Sequence, residues 1–331
     1  MSWPMSDSTH SKPVLVTGGA GFIGSNLCER LLQEGYSVVC LDDLSTGFLK
    51  NIEPFLSHPK FHFIQGDIRN FETCLSSVQG CGCVFHQAAL GSVPRSINNP
   101  LATNAVNITG FLNMLEAAKQ AKVGRFIFAA SSSTYGDSTV LPKVEDQIGR
   151  PLSPYAVTKL VNELYADVFH RTYGLDFIGL RYFNVYGKNQ DPDGAYAAVI
   201  PKFVKQLINL QSPMINGDGS YSRDFTHISN VVEANLLAMR TTDSTALNQV
   251  YNVACGESTT LKALAEMLIE VLSKKNPSIK EVVLTFGEQR PGDIPHSLAS
   301  IEKIKDKLGY QPQVLVQRGL EISVDWYWEF I

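Results

Sequence analysis

The feature that most constrains the fold is a glycine-rich segment near the start of the chain, directly after a short β-branched run. The run at 14–17 leads into Gly18, Gly21 and Gly24, in the pattern G-x-x-G-x-x-G, and an amphipathic helix is predicted to begin at Phe22 and Ile23. Glycine permits a tight exit from a strand, a close approach of backbone amides to an anion, and close packing of helix on strand. The segment therefore predicts a strand, a turn and a helix whose N-terminus binds a pyrophosphate.

The second predicted strand carries the evidence on which dinucleotide is bound. It ends in Asp42-Asp43, about twenty residues beyond the glycines, where a carboxylate accepts hydrogen bonds from an adenosine ribose. A carboxylate there also repels a 2′-phosphate, so NAD is favoured over NADP. Asp67, after the third predicted strand, is expected beside the adenine together with Ile68.

Strands and helices are predicted to alternate over the first half of the chain. This alternation indicates an α/β fold with a doubly wound, Rossmann-type parallel sheet covered on both faces, and a smaller α/β lobe at its carboxyl edge. The predicted strands lie at about 13–17, 37–42, 61–65, 83–87, 125–131 and 177–181, with one more at 251–254. The predicted helices lie at about 22–34, 68–79, 100–121, 154–173, 198–210, 229–241 and 260–274.

Composition excludes several classes of partner. The 331 residues carry a formal charge of −4, which argues against nucleic acid or an anionic membrane as partner. No apolar run reaches the length of a membrane span, and residues 1–12 lack the apolar core of a signal peptide, so a soluble, cytoplasmic protein is expected. The six cysteines lack the spacing of a metal site and are expected to be reduced, so no metal is expected.

A tyrosine and a lysine at Tyr155 and Lys159 are predicted to face the same way on one helix. They are four residues apart, which is one helical turn, and Ser153 and Pro154 are predicted to begin that helix. The ammonium, the helix N-terminus and the positive nicotinamide of an oxidised cofactor would each lower the pKa of the phenol. The pattern predicts a tyrosine that acts as a general base near neutral pH.

A serine cluster follows the strand predicted at 125–131, and Ser132 or Ser133 is the candidate hydroxyl beside the tyrosine, with Ser132 the first choice. Together with the glycine motif and the Tyr155/Lys159 pair, the cluster resembles the extended short-chain dehydrogenase/reductase family over nearly the whole chain. The resemblance implies a serine, tyrosine and lysine triad. It also implies further cofactor contacts from Gln87, Ala88, Ala89, Asn107 and Tyr182.

The resemblance extends to a nucleotide-sugar site. It implies that UDP is held by Asn184, Asn216, Arg223, Arg290 and Asp293. The NAD-binding domain would then span 12–188 with about 225–255, and the UDP-sugar lobe 189–224 and 256–331. The helices at 100–121 and 154–173 resemble a pair that forms a four-helix dimer interface in the family, so a homodimer is expected.

Two observations predict the reaction and the sugar. Dehydratases and decarboxylases of the family carry an acid directly after the triad hydroxyl, whereas this chain has Ser133 and Thr134 there, which favours a UDP-sugar 4-epimerase. The segment with Gly91 and Ser92, together with Ser297, resembles bacterial epimerases that act on UDP-N-acetylglucosamine and UDP-N-acetylgalactosamine.

Four alternatives remain open from the sequence. Arg95 is suited to a carboxylate, so a UDP-glucuronate 4-epimerase is the alternative, and a UDP-glucose 4-epimerase is not excluded. A net oxidoreductase would accumulate NADH. A non-catalytic NAD-binding regulator would bind the dinucleotide and turn over no UDP-sugar.

Overall fold

Seven parallel strands form the central sheet, in the order β11-β6-β5-β4-β1-β2-β3. The computed structural model describes residues 12–192, 198–289 and 294–330. The described strands are β1 Val14–Thr17, β2 Val38–Asp42, β3 Phe61–Gln65, β4 Cys83–His86, β5 Arg125–Ser131, β6 Phe177–Tyr182, β7 Val185–Tyr186, β8 Met214–Asn216, β9 Ser222–Arg223, β10 Thr226–His227, β11 Gln249–Val253, β12 Thr259–Thr260 and β13 Thr285–Gly287.

The described α-helices are α1 Phe22–Gln33, α2 Phe71–Val78, α3 Val93–Asn98, α4 Pro100–Asn104, α5 Phe111–Gln120, α6 Pro154–Tyr173, α7 Val199–Ile208, α8 Ile228–Arg240, α9 Leu261–Ser273, α10 Glu302–Leu308 and α11 Val316–Phe330. A π-helical segment, Ala105–Gly110, continues from α4 into α5. The region predicted as a single helix at 100–121 therefore consists of an α-helix, a π-helical segment and a second α-helix. None of the described helices combines the length and apolar character that a membrane crossing needs.

Burial explains why the sheet strands read as continuous apolar runs. Every residue of β1, β4 and β6 is buried, as expected for parallel strands covered on both faces. One core group joins the sheet to α1 and α8, through side chains such as Leu27 and Val231. Another joins the opposite face to α5 and α6, through Met114 and Phe169. The doubly wound parallel sheet predicted from the sequence is confirmed.

A third core group lies away from the central sheet. It is formed by α7, α9 and α11 with neighbouring segments, and Phe203, Leu268 and Tyr327 are among its buried side chains. Three two-stranded pairs also lie outside the sheet: β7 with β10, β8 with β13, and β9 with β12. Their strands are two or three residues long, too short for hydrophobic alternation to indicate them.

Candidate active site

A cavity of about 510 Å³ opens at the carboxyl edge of the central sheet. Its walls combine the glycine-rich turn, the ends of β2 and β4, the end of β5 and the start of α6. Ligand sites of parallel α/β sheets lie at this edge. The cofactor residues predicted from the sequence that line it are Gly18, Gly21, Phe22, Ile23, Gly24, Asp42, Asp43, Asp67, Ile68, Gln87, Ala88, Ala89, Tyr155, Lys159 and Tyr182.

The glycine-rich turn is shaped by backbone contacts that a side chain would prevent. Gly18 has φ +67°, and a Cβ there would lie 2.7 Å from the Cα of Ala88. A Cβ on Gly24 would overlap the carbonyl oxygen of Gly18. Gly21 precedes α1 and offers no side chain to cap it, so the first N–H groups of the helix face the cavity without a side-chain acceptor. An anion fits this position.

The acidic residues after β2 and β3 have different surroundings. Asp42 is buried and accepts hydrogen bonds from the N–H groups of Ala20 (2.9 Å) and Leu44 (2.8 Å), and burial raises the pKa of its carboxyl. Asp43 is turned toward Ser45, with Ser45 N 2.9 Å from its Oδ1.

Asp67 is paired with Arg69, a residue for which the sequence predicts no role. Arg69 donates from its N–H and its Nε to Asp67, each at 2.8 Å, and these bonds lower the pKa of Asp67. Arg69 is therefore engaged by Asp67 at the end of the cavity where an adenosine is expected.

The segment after β4 is held by amide side chains. Tyr182 donates its hydroxyl to Gln87 Oε1 at 3.1 Å and receives a hydrogen bond from Asn235 Nδ2 at 2.9 Å. Asn107 is only 1% exposed and is absent from the described cavity wall. Its Oδ1 accepts a hydrogen bond from Leu90 N at 2.7 Å, so its side chain holds the segment after β4 in place without lining the cavity.

Helix α6 presents Tyr155 and Lys159 to the cavity from its first turns. Ser153 accepts a hydrogen bond from Ala156 N at 3.1 Å, and Pro154 occupies the first turn, as the sequence predicts. Lys159 donates its ammonium to the carbonyl of Ala129 at 2.7 Å and lies 6.0 Å from the centre of the Tyr155 ring. The helix thus brings both side chains to the end of β5.

The hydroxyl next to Tyr155 belongs to Ser131. Ser131 ends β5, lines the cavity and acts on the pKa of the Tyr155 phenol, whereas Ser132 and Ser133 are not among the described residues of its wall. Ser133 instead donates to Ser131 Oγ at 2.9 Å. Ser131, and not Ser132 or Ser133, is therefore the hydroxyl that the structure places beside Tyr155, one or two residues earlier than predicted. The end of a strand is the position that faces the ligand edge, and Ser131 is the last residue of the predicted strand.

Burial shifts the pKa values of both members of this pair. It raises the pKa of the Tyr155 phenol, and the side chain of Ser131 opposes that rise. Burial also lowers the pKa of Lys159 to about 8, while the carboxylate of Glu163 acts in the opposite direction. Desolvation therefore outweighs the contribution of Ser131 to the pKa of the phenol, and the lowering expected from the charge of bound oxidised NAD stays a prediction.

A second cavity of about 270 Å³ adjoins the first and shares Asn184, Val185 and Ala198 with it. Among the predicted substrate residues, Asn216 and Arg223 line this second cavity, while Gly91 and Ser92 line the first. Asn184 has φ +35°, in the left-handed region, and donates to the carbonyl of Asp224 at 3.2 Å.

Ser297 lies in a segment that is bonded to β9. Its N–H donates to the carbonyl of Ser222 at 3.1 Å, next to Arg223, and Ser297 is not among the described residues that line either cavity. Arg290 and Asp293, two other predicted substrate residues, lie outside the residues that the structure describes.

Two polar side chains of the larger cavity had no cofactor or triad role in the sequence argument. Arg95 reaches its wall from α3. Gln190 donates its amide to the carbonyl of Val185 at 2.9 Å, and its Oε1 is buried without a hydrogen-bond partner. A ligand donor would satisfy that oxygen. In the described part of the chain, no group of three or more His, Cys, Asp or Glu side chains could hold a metal ion.

Comparison with known proteins gives the class to which this site belongs. Residues 14–254 match the family described as "NAD dependent epimerase/dehydratase family". The chain belongs to this family, and its cofactor is NAD. The uncapped helix, the turn that a Cβ would fill and the buried Asp42 fit that dinucleotide.

Three relatives illustrate the range of sugars within the family. A UDP-N-acetylglucosamine 4-epimerase from Methanobrevibacter ruminantium, solved with UDP-N-acetylmuramic acid, is 38% identical, with TM-score 0.90 and coverage of 97% of this chain and 99% of that one. A UDP-glucose 4-epimerase from Mycolicibacterium smegmatis is 35% identical, over 95% of this chain and 97% of its own. A UDP-glucuronic acid 4-epimerase from Bacillus cereus is 32% identical, with TM-score 0.84 and coverage of 96% and 100%.

Proposed function

We propose that this chain interconverts UDP-N-acetylglucosamine and UDP-N-acetylgalactosamine by inverting C4 of the sugar through a transient 4-keto intermediate. One observation supports this reaction type: Ser131, Tyr155 and Lys159 lie together in the wall of the cavity that the glycine-rich turn also lines. A hydroxyl, a phenol and an ammonium beside a dinucleotide site are suited to removing a proton from a secondary alcohol.

In this proposal Tyr155 is the general base and later the general acid. Its phenolate takes the proton of the sugar 4-hydroxyl, with the Ser131 hydroxyl bridging the two oxygens, and returns it when the alcohol is formed again. Lys159, held by the carbonyl of Ala129, stabilises the phenolate with its charge. Bound NAD supplies the hydride acceptor and donor for C4. Inversion requires the keto sugar to present its opposite face before reduction.

The residues after the triad hydroxyl support epimerisation over dehydration. With Ser131 as that hydroxyl, the next two residues are Ser132 and Ser133, and neither can act as a carboxylic acid toward the sugar ring. Hydride return to C4 then completes the reaction, and no net NADH is produced.

The nucleotide is proposed to occupy the smaller cavity. Arg223 supplies a positive charge for the diphosphate there, while Asn184 belongs to both cavities and is suited to the junction between diphosphate and sugar. Asn216, at the end of β8, is proposed beside the uracil. Arg290 and Asp293 are proposed as further contacts to the diphosphate and the ribose.

The acetamido group is the part of the proposal that family membership alone does not decide, because the relatives act on different UDP-sugars. Ser297 is small, and its segment is hydrogen-bonded to Ser222 beside Arg223, so a tyrosine at this position would take up more volume next to the proposed nucleotide cavity. The unpaired Oε1 of Gln190 offers an acceptor in the larger cavity, which suits an amide N–H as well as a hydroxyl.

One observation favours a second candidate, a UDP-glucuronate 4-epimerase. Arg95 lines the larger cavity beside Ser92, and its guanidinium is suited to a sugar carboxylate. If it binds a carboxylate, Arg95→Ala removes turnover of UDP-glucuronate and spares the neutral sugars.

We also propose that the protein is a homodimer that buries α4 and α6. Large apolar side chains are exposed on these helices: Leu101 is 82% exposed, Leu164 58%, Val157 46% and Val168 45%. On α6 these residues recur at helical spacing and form one stripe. Leu164→Glu should convert a dimer into a monomer in light-scattering measurements, whereas a wild type that is monomeric would contradict this assembly.

The test of the proposed function is a panel of UDP-sugars incubated with the purified holoenzyme, with products identified by the NMR signals of their anomeric protons. The two N-acetylated sugars should interconvert, approaching the same equilibrium from both sides, while NADH absorbance stays flat. Steady accumulation of NADH would identify a net oxidoreductase. Turnover confined to UDP-glucuronate would establish the second candidate instead. Stable NAD binding without turnover of any UDP-sugar would indicate a non-catalytic regulator.

A further inference from the structure

A buried carboxylate, Asp224, lies between β9 and β10 and is fully enclosed, with 0% exposure. Its Oδ1 accepts a hydrogen bond from Cys255 N at 2.9 Å, and its Oδ2 accepts from Gly256 N at 3.0 Å and from Ala299 N at 3.4 Å. One side chain therefore binds two separate backbone segments, the turn after β11 and the segment that carries Ser297.

The residues directly before and after Asp224 in the chain line the smaller cavity. These neighbours are Arg223 and Phe225, and the carbonyl of Asp224 itself accepts the hydrogen bond from Asn184. The segment that carries Ser297 makes a second attachment nearby, because Ser222 N donates to Pro295 O at 3.0 Å and Ser297 N donates to Ser222 O at 3.1 Å. Asp224 thus makes hydrogen bonds with three parts of the chain near this cavity: Asn184, the turn after β11 and the segment that carries Ser297.

We infer that Asp224 is a positioning residue, whose carboxylate fixes the segment containing Ser297 against the β9 strand that carries Arg223 and thereby sets the affinity for the UDP-sugar. The inference rests on the proposed function, because it takes the smaller cavity as the nucleotide site. Asp224 does not touch the reacting atoms, so its loss should affect substrate binding and leave the chemical step nearly intact.

The electrostatic surroundings show that this carboxylate is costly to bury. The groups acting on it from the elements packed around it are Glu257, Cys255 and Tyr310, and none of these is a cation. A buried charge without an opposite charge destabilises a fold unless its hydrogen bonds compensate. The three N–H donors provide that compensation, and they are also the contacts that fix the loop geometry.

A pH dependence follows from the same arrangement. Burial raises the pKa of Asp224 to about 6, and the bonds from Cys255, Ala299 and Gly256 oppose the rise. A pKa above that of the unfolded chain means that protonation favours the folded state as pH falls through about 6. Protonation of Asp224 nevertheless removes one of the hydrogen-bond acceptors that hold the two backbone segments together. Substrate affinity should therefore decline below about pH 6 without a loss of stability from this group.

The first experiment compares Asp224→Asn with wild type by steady-state kinetics on UDP-N-acetylglucosamine and UDP-glucose. An amide has one acceptor oxygen and cannot receive all three N–H donors. KM should rise about 10-fold to 100-fold on whichever UDP-sugar is turned over, kcat should change less than about threefold, and NAD content should be unchanged. Asp243→Asn is the matched control, because it also removes a carboxylate that accepts from a backbone N–H, but on an exposed 3₁₀ cap.

The second experiment keeps the inference testable if Asp224→Asn does not fold. KM of the wild type is measured between about pH 5 and about pH 7.5, where the pyrophosphate diester of a UDP-sugar keeps its charge. It should rise about tenfold toward low pH. His296, bonded to Ser222 Oγ at 3.0 Å, is a second titratable group among the described residues of this segment, and His296→Gln should retain the dependence.

The outcomes separate this inference from the proposed function. A folded Asp224→Asn enzyme with wild-type KM, or a wild-type KM that is flat with pH, would overturn the positioning role. A loss of kcat with KM unchanged would overturn it as well. Turnover of UDP-glucose alone would contradict the proposed sugar and leave the Asp224 result interpretable, since both sugars carry the same nucleotide.

Discussion

Tyr155 and Ser131 line the same cavity wall and Ser131 lowers the pKa of the phenol, although one side chain comes from the first turn of α6 and the other from the last residue of β5. The adjacent serine, Ser132, lies one residue further along and is not among the described residues of the cavity wall. The two serines therefore offer a direct comparison between neighbours.

Ser131→Ala should lower kcat by about a hundredfold, because it removes the hydroxyl that bridges the phenol and the sugar oxygen. Ser132→Ala, the matched control, should stay within about twofold of wild type. The comparison is made with initial rates and equal NAD content. The opposite ranking of the two variants would restore Ser132 as the triad member.

The buried pair of Glu163 and Arg181 leads to a prediction about pH. Glu163 follows Lys159 by one helical turn, and its two oxygens accept from Arg181 at 2.9 and 2.8 Å. Burial lowers the pKa of Lys159 to about 8 and Glu163 raises it, so activity should fall above about pH 8 as the ammonium is lost. In Glu163→Gln this alkaline limb should move to lower pH.

The control for that variant is Asp167→Asn, which removes a carboxylate from the exposed part of the same helix, where it pairs with Arg171. Its pH profile should match that of wild type. Glu163→Gln should also unfold more easily, because Arg181 is left buried beside a neutral partner. If Glu163→Gln is destabilised but its alkaline limb is not shifted, Glu163 supports the fold alone. That result would refute its effect on the pKa of Lys159.

Cofactor choice is predicted to depend on Asp42. Asp42→Ala should weaken NAD binding by about tenfold and reduce the preference over NADP, because the ribose hydroxyls lose their acceptor and the 2′-phosphate loses a repelling charge. Asp43→Ala should change both dissociation constants less than Asp42→Ala does, since the Asp43 carboxylate is engaged with Ser45. Dissociation constants for both cofactors decide the point, and a wild type that binds NAD and NADP equally would contradict this role.

The sugar preference is predicted to change in Ser297→Tyr. Activity on UDP-N-acetylgalactosamine should fall while activity on UDP-galactose survives or rises, because the phenol takes the volume that the acetyl group needs. Ser297→Ala keeps that volume free and should leave the ratio of kcat/KM values near wild type. Equal loss on both sugars would indicate damage to the loop, and no change would show that Ser297 lies away from the sugar.

The central sheet was predictable from the sequence, because strands buried on both faces are continuously apolar. The turn beside it was predictable from the spacing of the glycines. The helix α6 was also predictable, since Ser153 and Pro154 define its start and its observed bounds agree with the prediction. These are local signals. The predicted strand near 251–254 was detected as well, but only the fold assigns it to the central sheet beside β6.

The remaining site features depend on contacts between distant segments. The predicted strand already ended at Ser131, as β5 does, but which of the three consecutive serines meets Tyr155 depends on how the end of β5 packs against α6. The resemblance implies a cofactor contact from Asn107, and only the structure shows that its amide bonds to both the N–H and the carbonyl of Leu90. The role of Asp224 depends on N–H groups from Cys255 and Ala299, which only the tertiary structure brings together.

The central claim is that Tyr155 carries the proton of the sugar 4-hydroxyl, and Tyr155→Phe tests it most directly. Tyr165→Phe, on the same helix but outside the described cavity wall, is its matched control. Epimerisation by Tyr155→Phe should fall by about a thousandfold or more while NAD content and folding stay at wild-type values, and Tyr165→Phe should remain active. Near wild-type turnover of UDP-N-acetylglucosamine by folded, NAD-bound Tyr155→Phe enzyme would contradict the mechanism.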